Sequence, residues 1–136
     1  MKLCDIRIAV ISDRAVLPEA IEDRLNSQSE MTVEIASSRS GVALQQISNS
    51  DIDVAILDAD RSSGQAFEFA SQIGELSKKT KLIFLAGTIA VPLIRQALRL
   101  NTCGILAKTE STAAIVDAVR GAVGGRTSFS AEVQRW

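Results

Sequence analysis

Four charged residues end apolar runs in this chain, and their types could support chemistry together. Residues 54–57 have the composition of a buried strand, and Asp58 and Asp60 follow them. Asp13 and Lys108 end two other apolar runs. A buried run that ends on carboxylates predicts either a surface turn or a reactive site, because an unpaired carboxylate is costly to bury.

These residue types favour the transfer of a phosphoryl group. Asp13 and Asp58 would repel each other unless a cation lay between them. Mg²⁺ suits that place, since it binds one or two carboxylates, a backbone carbonyl and water. Lys108 adds a second positive charge, so an oxygen of Asp58 could attack a phosphorus atom in line. The alternative is that the acids cap the helices that follow them and that Lys108 is solvated.

The elements that must position these residues alternate along the chain. Predicted strands lie at residues 6–11, 31–36, 54–58, 81–86 and 104–108, and predicted helices at residues 17–28, 40–48, 64–77, 91–100 and 111–123. Residues 54–57 and 82–85, in the third and fourth strands, are apolar throughout, which is typical of a parallel sheet covered by helices on both faces. The pattern predicts one doubly wound α/β domain.

In such a sheet the binding crevice lies beyond the carboxyl ends of the strands. The first predicted strand ends at Ser12 and Asp13, the third at Asp58, the fourth at Ala86 and the fifth at Lys108. Taken singly, each residue fits a structural role. Their shared position at one edge of the sheet favours a functional site.

Composition excludes several other classes of site. The 136 residues include no histidine, which excludes Ser-His-Asp and Cys-His catalysis. The net charge is −1 and no basic run occurs, so the chain has no evident nucleic-acid surface of its own. No apolar stretch reaches the roughly 20 residues that span a membrane, and no signal sequence opens the chain. We therefore expect a cytoplasmic protein without membrane association.

From residue 6 to about residue 124, the chain resembles the receiver domain of two-component response regulators. Asp58, in VAILDAD, stands at the place of the phospho-accepting aspartate, and Lys108, in GILAK, at that of the family's lysine. The resemblance implies a flavodoxin-like (βα)5 three-layer sandwich with five parallel strands. It also implies Mg²⁺ bound by Asp13, Asp58 and the backbone carbonyl of Asp60, with Lys108 stabilising the phosphoryl group.

Three positions depart from the family's pattern. Ser12 replaces one of two adjacent acids and contributes no charge to a metal. Ala86 replaces the Ser or Thr that hydrogen-bonds the phosphoryl group, and Ile105 replaces an aromatic switch residue. The side chain of Asp60 is an extra acid that could partly offset Ser12.

The resemblance also predicts how the chain is organised. Residues 1–124 are expected to form the receiver domain, and residues 125–136 to begin a linker or helix, with Ser130 as a possible cap. They would lead to a helix-turn-helix output domain that is missing here, so any binding to DNA would occur through that domain. The expected partners are a sensor histidine kinase and, in a homodimer, a second copy of the chain.

Two functions of different class remain open at this point. In the first, Asp58 accepts a phosphoryl group from a kinase, with at most autocatalytic acceptance and dephosphorylation as enzymatic activity. In the second, the chain is a pseudo-receiver that dimerises or binds a partner without phosphorylation. A flavodoxin-like cofactor binder is disfavoured, because no glycine-rich loop follows the first strand.

Overall fold

Strands and helices alternate along the chain, as the sequence predicts. The computed structural model describes residues 6–12, 16–37, 41–59, 63–100 and 102–134. The strands are β1 (Ile6–Ile11), β2 (Met31–Ser37), β3 (Val54–Asp58), β4 (Lys81–Ala86), β5 (Gly104–Ala107) and β6 (Ser128–Phe129). The helices are α1 (Val16–Asn26), α2 (Gly41–Asn49), α3 (Ser63–Leu76), α4 (Val91–Arg99), α5 (Thr112–Val123) and α6 (Ala131–Gln134).

All strands join one parallel sheet in the order β2-β1-β3-β4-β5-β6. The first five strands have the 2-1-3-4-5 order of flavodoxin-like folds. The predicted doubly wound (βα)5 sandwich is therefore confirmed. The sixth strand was not predicted, because residues 125–136 were expected to lead away from the domain.

Two apolar layers cover the faces of the sheet. One contains Val10 and Ile56 from the strands and packs under α1 and α5. The other contains Ala9 and Leu57 and packs under α2, α3 and α4. Neighbouring residues of β1 and β3 thus point to opposite layers, which explains why residues 8–11 and 54–57 are apolar at every position.

The short strand β6 closes the β5 edge of the sheet. The backbone N–H of Ser128 donates to the carbonyl of Cys103 at 2.8 Å, and that of Ser130 donates to Ile105 at 3.0 Å. Phe129 and Val133 then pack into the layer under α2, α3 and α4. The C-terminal segment, residues 126–134, is therefore part of the folded domain.

Glycines allow the chain to return to this edge. Gly125, which follows α5, has a φ of 82°, a conformation that residues with a side chain rarely adopt. At Gly104 a Cβ atom would lie 3.0 Å from the carbonyl oxygen of Ser128, which belongs to the backbone of β6. A residue with a side chain at position 104 would require the backbone of β6 to move away by a few tenths of an ångström.

Helix α5 begins where the sequence predicts. The Ser111 hydroxyl accepts a hydrogen bond from the Ala114 N–H at 3.1 Å, so Ser111 is the N-cap. Within the described ranges, no helix has both the length and the apolar composition needed to cross a bilayer.

We predict that Gly104→Ala destabilises the domain by about 1–3 kcal/mol, because the new methyl group overpacks the β5–β6 contact. Gly74→Ala is the matched control. Position 74 lies in α3 with no atom within 4 Å of an added Cβ, so alanine should stabilise that helix by about 0.5–1 kcal/mol. Urea unfolding measures both changes. Equal effects of the two substitutions would contradict the close approach of β6.

Candidate functional site

The carboxyl ends of β1, β3, β4 and β5 bring the predicted site residues to one edge. Asp58 is the last residue of β3, and Ala86 is the last residue of β4. Ser12 directly follows β1, and Lys108 directly follows β5. The parallel register aligns these ends, since Asp58 pairs with Leu85 and Ala86 pairs with Ala107.

Asp58 is the centre of the site. The Ser12 hydroxyl donates to its Oδ2 atom at 2.7 Å, and the Lys108 ammonium forms an ion pair with its Oδ1 atom at 2.8 Å. The Asp58 side chain is 7% exposed and that of Lys108 is 15% exposed. The carboxylate is therefore largely removed from water, with a hydroxyl donor on one oxygen and an ammonium group beside the other.

Each of these two buried charges is stable only with an opposite charge or a hydrogen-bonding group close to it. Burying one charge alone costs several kcal/mol, and an opposite charge at hydrogen-bonding distance offsets that cost. Ser12 adds a donor without adding a charge. Sequence reasoning placed Ser12 at this edge as a weakened metal position but missed its direct hydrogen bond to Asp58. A small hydroxyl at the end of the neighbouring strand β1 was the available signal.

The backbone around the pair is held by β4. The N–H of Ala59, directly after Asp58, donates to the Leu85 carbonyl at 2.7 Å. The N–H of Lys108 donates to the Ala86 carbonyl at 2.9 Å. Both charged residues are thus anchored to the strand that lies between them.

Ala86 and Ile105 make apolar contributions. Both side chains are fully buried in the layer under α2, α3 and α4. A methyl group at position 86 cannot donate a hydrogen bond to a ligand at this edge, although the Ala86 carbonyl positions Lys108. Ile105 has no polar atom and lies in the same layer as Phe129 and Val133.

Two predicted metal ligands, Asp13 and Asp60, lie outside the described residues. Within the described ranges, no group of three acidic, cysteine or histidine side chains is arranged to hold a metal ion. The Asp58 carboxylate has the chemistry of an Mg²⁺ ligand, and the Ser12 hydroxyl is at most a neutral one. The described residues therefore fit one side of a magnesium site.

Comparisons with known proteins agree with this architecture. Residues 8–120 match the family described as "Response regulator receiver domain". The uncharacterized transcriptional regulatory protein YxjL of Bacillus subtilis is 26% identical over 126 residues. That match covers 91% of this chain but 57% of YxjL, so this chain spans little more than half the length of that relative.

Two solved structures illustrate the similarity of fold. The signal receiver domain of NarL from Mycobacterium tuberculosis has a TM-score of 0.81 and 23% identity, and the match covers 90% of this chain and 99% of that one. The isolated receiver domain of RcsB from Salmonella enterica, solved with the phosphomimetic BeF3−, has a TM-score of 0.80 and 16% identity. The match to RcsB covers 96% of this chain and 97% of that one.

Lys108→Met should lower the free energy of unfolding by about 3 kcal/mol, since it leaves the Asp58 carboxylate buried without its charged partner. The double variant Asp58→Asn/Lys108→Met should recover at least half of that loss. Arg7→Gln is the control. It removes an ion pair with Glu34 of similar length, 2.9 Å, whose side chains are 38% and 34% exposed, and should cost less than about 1 kcal/mol. Chemical denaturation measures all three variants. Similar losses in Lys108→Met and Arg7→Gln would contradict a stabilising buried pair.

Proposed function

This chain belongs to the response regulator receiver domain family, and we propose on that premise that Asp58 accepts a phosphoryl group from a sensor histidine kinase. Receiver domains are signalling modules rather than typical enzymes, and response regulators work with sensor kinases. The domain would use its phosphorylation state to regulate a DNA-binding output domain. Its enzymatic activity would be limited to accepting the phosphoryl group and losing it by hydrolysis.

One observation carries the proposal: the Lys108 ammonium lies 2.8 Å from Oδ1 of Asp58, where the sheet ends. A lysine in this position neutralises the carboxylate before the reaction. It can also neutralise charge on the equatorial oxygens of an incoming phosphoryl group. The Asp58 backbone is fixed by β3 and by the Ala59–Leu85 hydrogen bond, so the carboxylate is held at the mouth of the sheet.

In the proposed step the phosphoryl group passes from a nitrogen atom of the kinase to an oxygen atom of Asp58. A carboxylate oxygen of Asp58 forms the new P–O bond while the P–N bond of the kinase phosphohistidine breaks. The electron pair of the broken bond stays on the imidazole nitrogen, which takes up a proton. The attacking oxygen must first lose its hydrogen bond from Ser12 or its ion pair with Lys108, so a rearrangement of one of these groups precedes the reaction.

Mg²⁺ would assist by neutralising charge on the phosphoryl oxygens. Receiver domains generally bind it at an acidic pocket. Here the proposed ligands are Asp13, the carboxylate of Asp58 and the backbone carbonyl of Asp60. Ser12 contributes a neutral oxygen where the family has an acid, so we expect weaker metal binding than two adjacent acids would give.

The proposed setting is cytoplasmic, with a sensor kinase as the partner and with no role at a membrane. Response regulators often dimerise and bind DNA through their output domains, and a homodimer is part of the proposal. The similarity to a named transcriptional regulatory protein, of which this chain spans 57%, supports a DNA-binding domain elsewhere in the parent protein.

The contacts of Asp58 also favour a second function, that of a phosphorylation-independent pseudo-receiver. Ser12 and Lys108 already satisfy an oxygen each on the buried carboxylate. Ala86 supplies no hydroxyl to a phosphoryl group, and Ile105 is buried without a polar atom. In this alternative the contacts of Asp58 with Ser12 and Lys108 stabilise one permanent conformation of the domain. The domain dimerises or binds a partner in that conformation.

Titration with Mg²⁺ and then beryllium fluoride, followed by amide NMR, separates the two functions. A phosphoacceptor should show saturable shifts around Asp58 and Lys108, because the acyl-phosphate mimic binds the aspartate oxygen. The RcsB receiver domain was solved in the presence of this mimic. Asp58→Asn is the control and should abolish the shifts. No response in the wild-type chain would reject the phosphoacceptor and leave the pseudo-receiver.

Ser12→Asp should tighten Mg²⁺ binding about tenfold relative to Ser12→Asn, because a second carboxylate would face the metal beside Asp58. Without Mg²⁺ the same variant should be less stable than Ser12→Asn, since two carboxylates then repel each other. Calorimetric titration and thermal unfolding measure the two effects. Equal Mg²⁺ affinity in the two variants would place the metal elsewhere or nowhere on this edge.

A further inference from the structure

A side chain from the C-terminal segment fastens the turn that carries Lys108. This turn, residues 107–110, is closed by a backbone hydrogen bond from the Glu110 N–H to the Ala107 carbonyl at 3.0 Å. The Ser130 hydroxyl accepts from the Ala107 N–H at 2.8 Å and donates to Oε2 of Glu110 at 2.7 Å. Ser130 is 2% exposed. Its hydroxyl therefore holds the turn on both sides of Lys108.

The geometry of β5 explains why a hydroxyl is needed there. Successive N–H groups of a strand point to opposite sides, so the Ala107 N–H faces β6 while the Lys108 N–H faces β4. Strand β6 ends at Phe129, and the Ser130 hydroxyl takes the place of the next backbone acceptor. A buried N–H without an acceptor would cost about 1–3 kcal/mol, and the carboxylate of Glu110 gives the hydroxyl a charge-assisted partner.

We propose that Ser130 is a positioning residue for Lys108 and that the C-terminal segment is thereby part of the phosphoryl-binding site. On one side, the Lys108 N–H donates to the Ala86 carbonyl. On the other side, Ser130 holds the neighbouring residues Ala107 and Glu110. Loss of the Ser130 hydroxyl removes the support that this turn receives from the β6 side, and with it one constraint on the distance between the ammonium and Asp58. The part of this inference that concerns phosphoryl binding rests on the proposed function of Asp58.

The first test uses no ligand and compares Ser130→Ala in two backgrounds. In the wild-type background, Ser130→Ala should move the amide resonance of Asp58, because Lys108 is displaced from its carboxylate. In a Lys108→Ala background, the same substitution should leave that resonance in place. A shift of equal size in both backgrounds would overturn the inference, since it would show an effect that does not pass through Lys108.

Ser128→Ala is the matched control. Ser128 belongs to the same segment, and its hydroxyl makes no hydrogen bond to any residue within the described ranges. Its removal should leave the Asp58 resonance unmoved. Glu110→Gln is a milder second variant in case Ser130→Ala unfolds the segment. It keeps the size of the side chain but weakens the bond from Ser130, so it should shift Asp58 in the same direction by less.

The second test measures beryllium fluoride binding in the presence of Mg²⁺. Ser130→Ala should raise the dissociation constant about two- to tenfold, the equivalent of one lost hydrogen bond. Ser128→Ala should leave it within about twofold of the wild-type value. An unchanged dissociation constant in a folded Ser130→Ala variant would overturn the inference. A wild-type chain that does not bind the mimic would reject the proposed function instead, and the ligand-free comparison would then decide the positioning role alone.

Discussion

The buried ion pair between Asp58 and Lys108 is the constraint around which the carboxyl edge of the sheet is arranged. Its two members belong to β3 and to the end of β5, so the pair reaches past the end of the strand between them. Neither charge is stable there alone, because both side chains are largely removed from water. The pair therefore requires that β3, β4 and β5 end in register. The hydrogen bonds from Ala59 and Lys108 to carbonyls of β4 provide that alignment. Packing of the apolar layers and electrostatics at the edge consequently support the same arrangement.

The position of β5 depends in turn on the last elements of the domain. Strand β5 would be an exposed edge without β6, and its buried Ala107 N–H would lack the acceptor that Ser130 supplies. Gly104 allows the close approach of the β6 backbone that brings Ser130 into place. Phe129 and Val133 anchor the segment by packing into the apolar layer below. The position of Lys108 is thus tied to residues that follow the fifth helix, beyond the end at residue 124 that the sequence suggested for the domain.

Sequence patterns predict those parts of this fold whose cause is local. The bounds of β1, β3 and β4 agree residue for residue with the prediction, because each strand consists mostly of a short apolar run, at residues 8–11, 54–57 and 82–86. Helix ends differ by one or two residues, as for α1, which was predicted at 17–28 and spans Val16–Asn26. Strand β6 has two residues and no alternation, and it exists only because of distant partners on β5.

At the site, the sequence places Ser12, Asp58 and Lys108 at one edge but does not specify which oxygen of Asp58 each of the other two residues contacts. The roles of Asp13 and Asp60 stay predictions.

The two substitutions at Ala86 and Ile105 change which atoms are able to respond to a ligand at Asp58. A methyl group and an aliphatic chain, both fully buried, offer no hydrogen bond that a phosphoryl group could attract or release. The Ser12 hydroxyl and the Lys108 ammonium are two polar groups in contact with Asp58. Lys108 lies on a turn that Ser130 and Glu110 fasten to the C-terminal segment. The proposed positioning role of Ser130 would therefore link Lys108 to the C-terminal segment through the backbone of β5, without any side chain having to move through the core. Because apolar cores are closely packed and resist such movement, a polar connection at the edge of the sheet is the less costly route from this carboxylate to the protein surface.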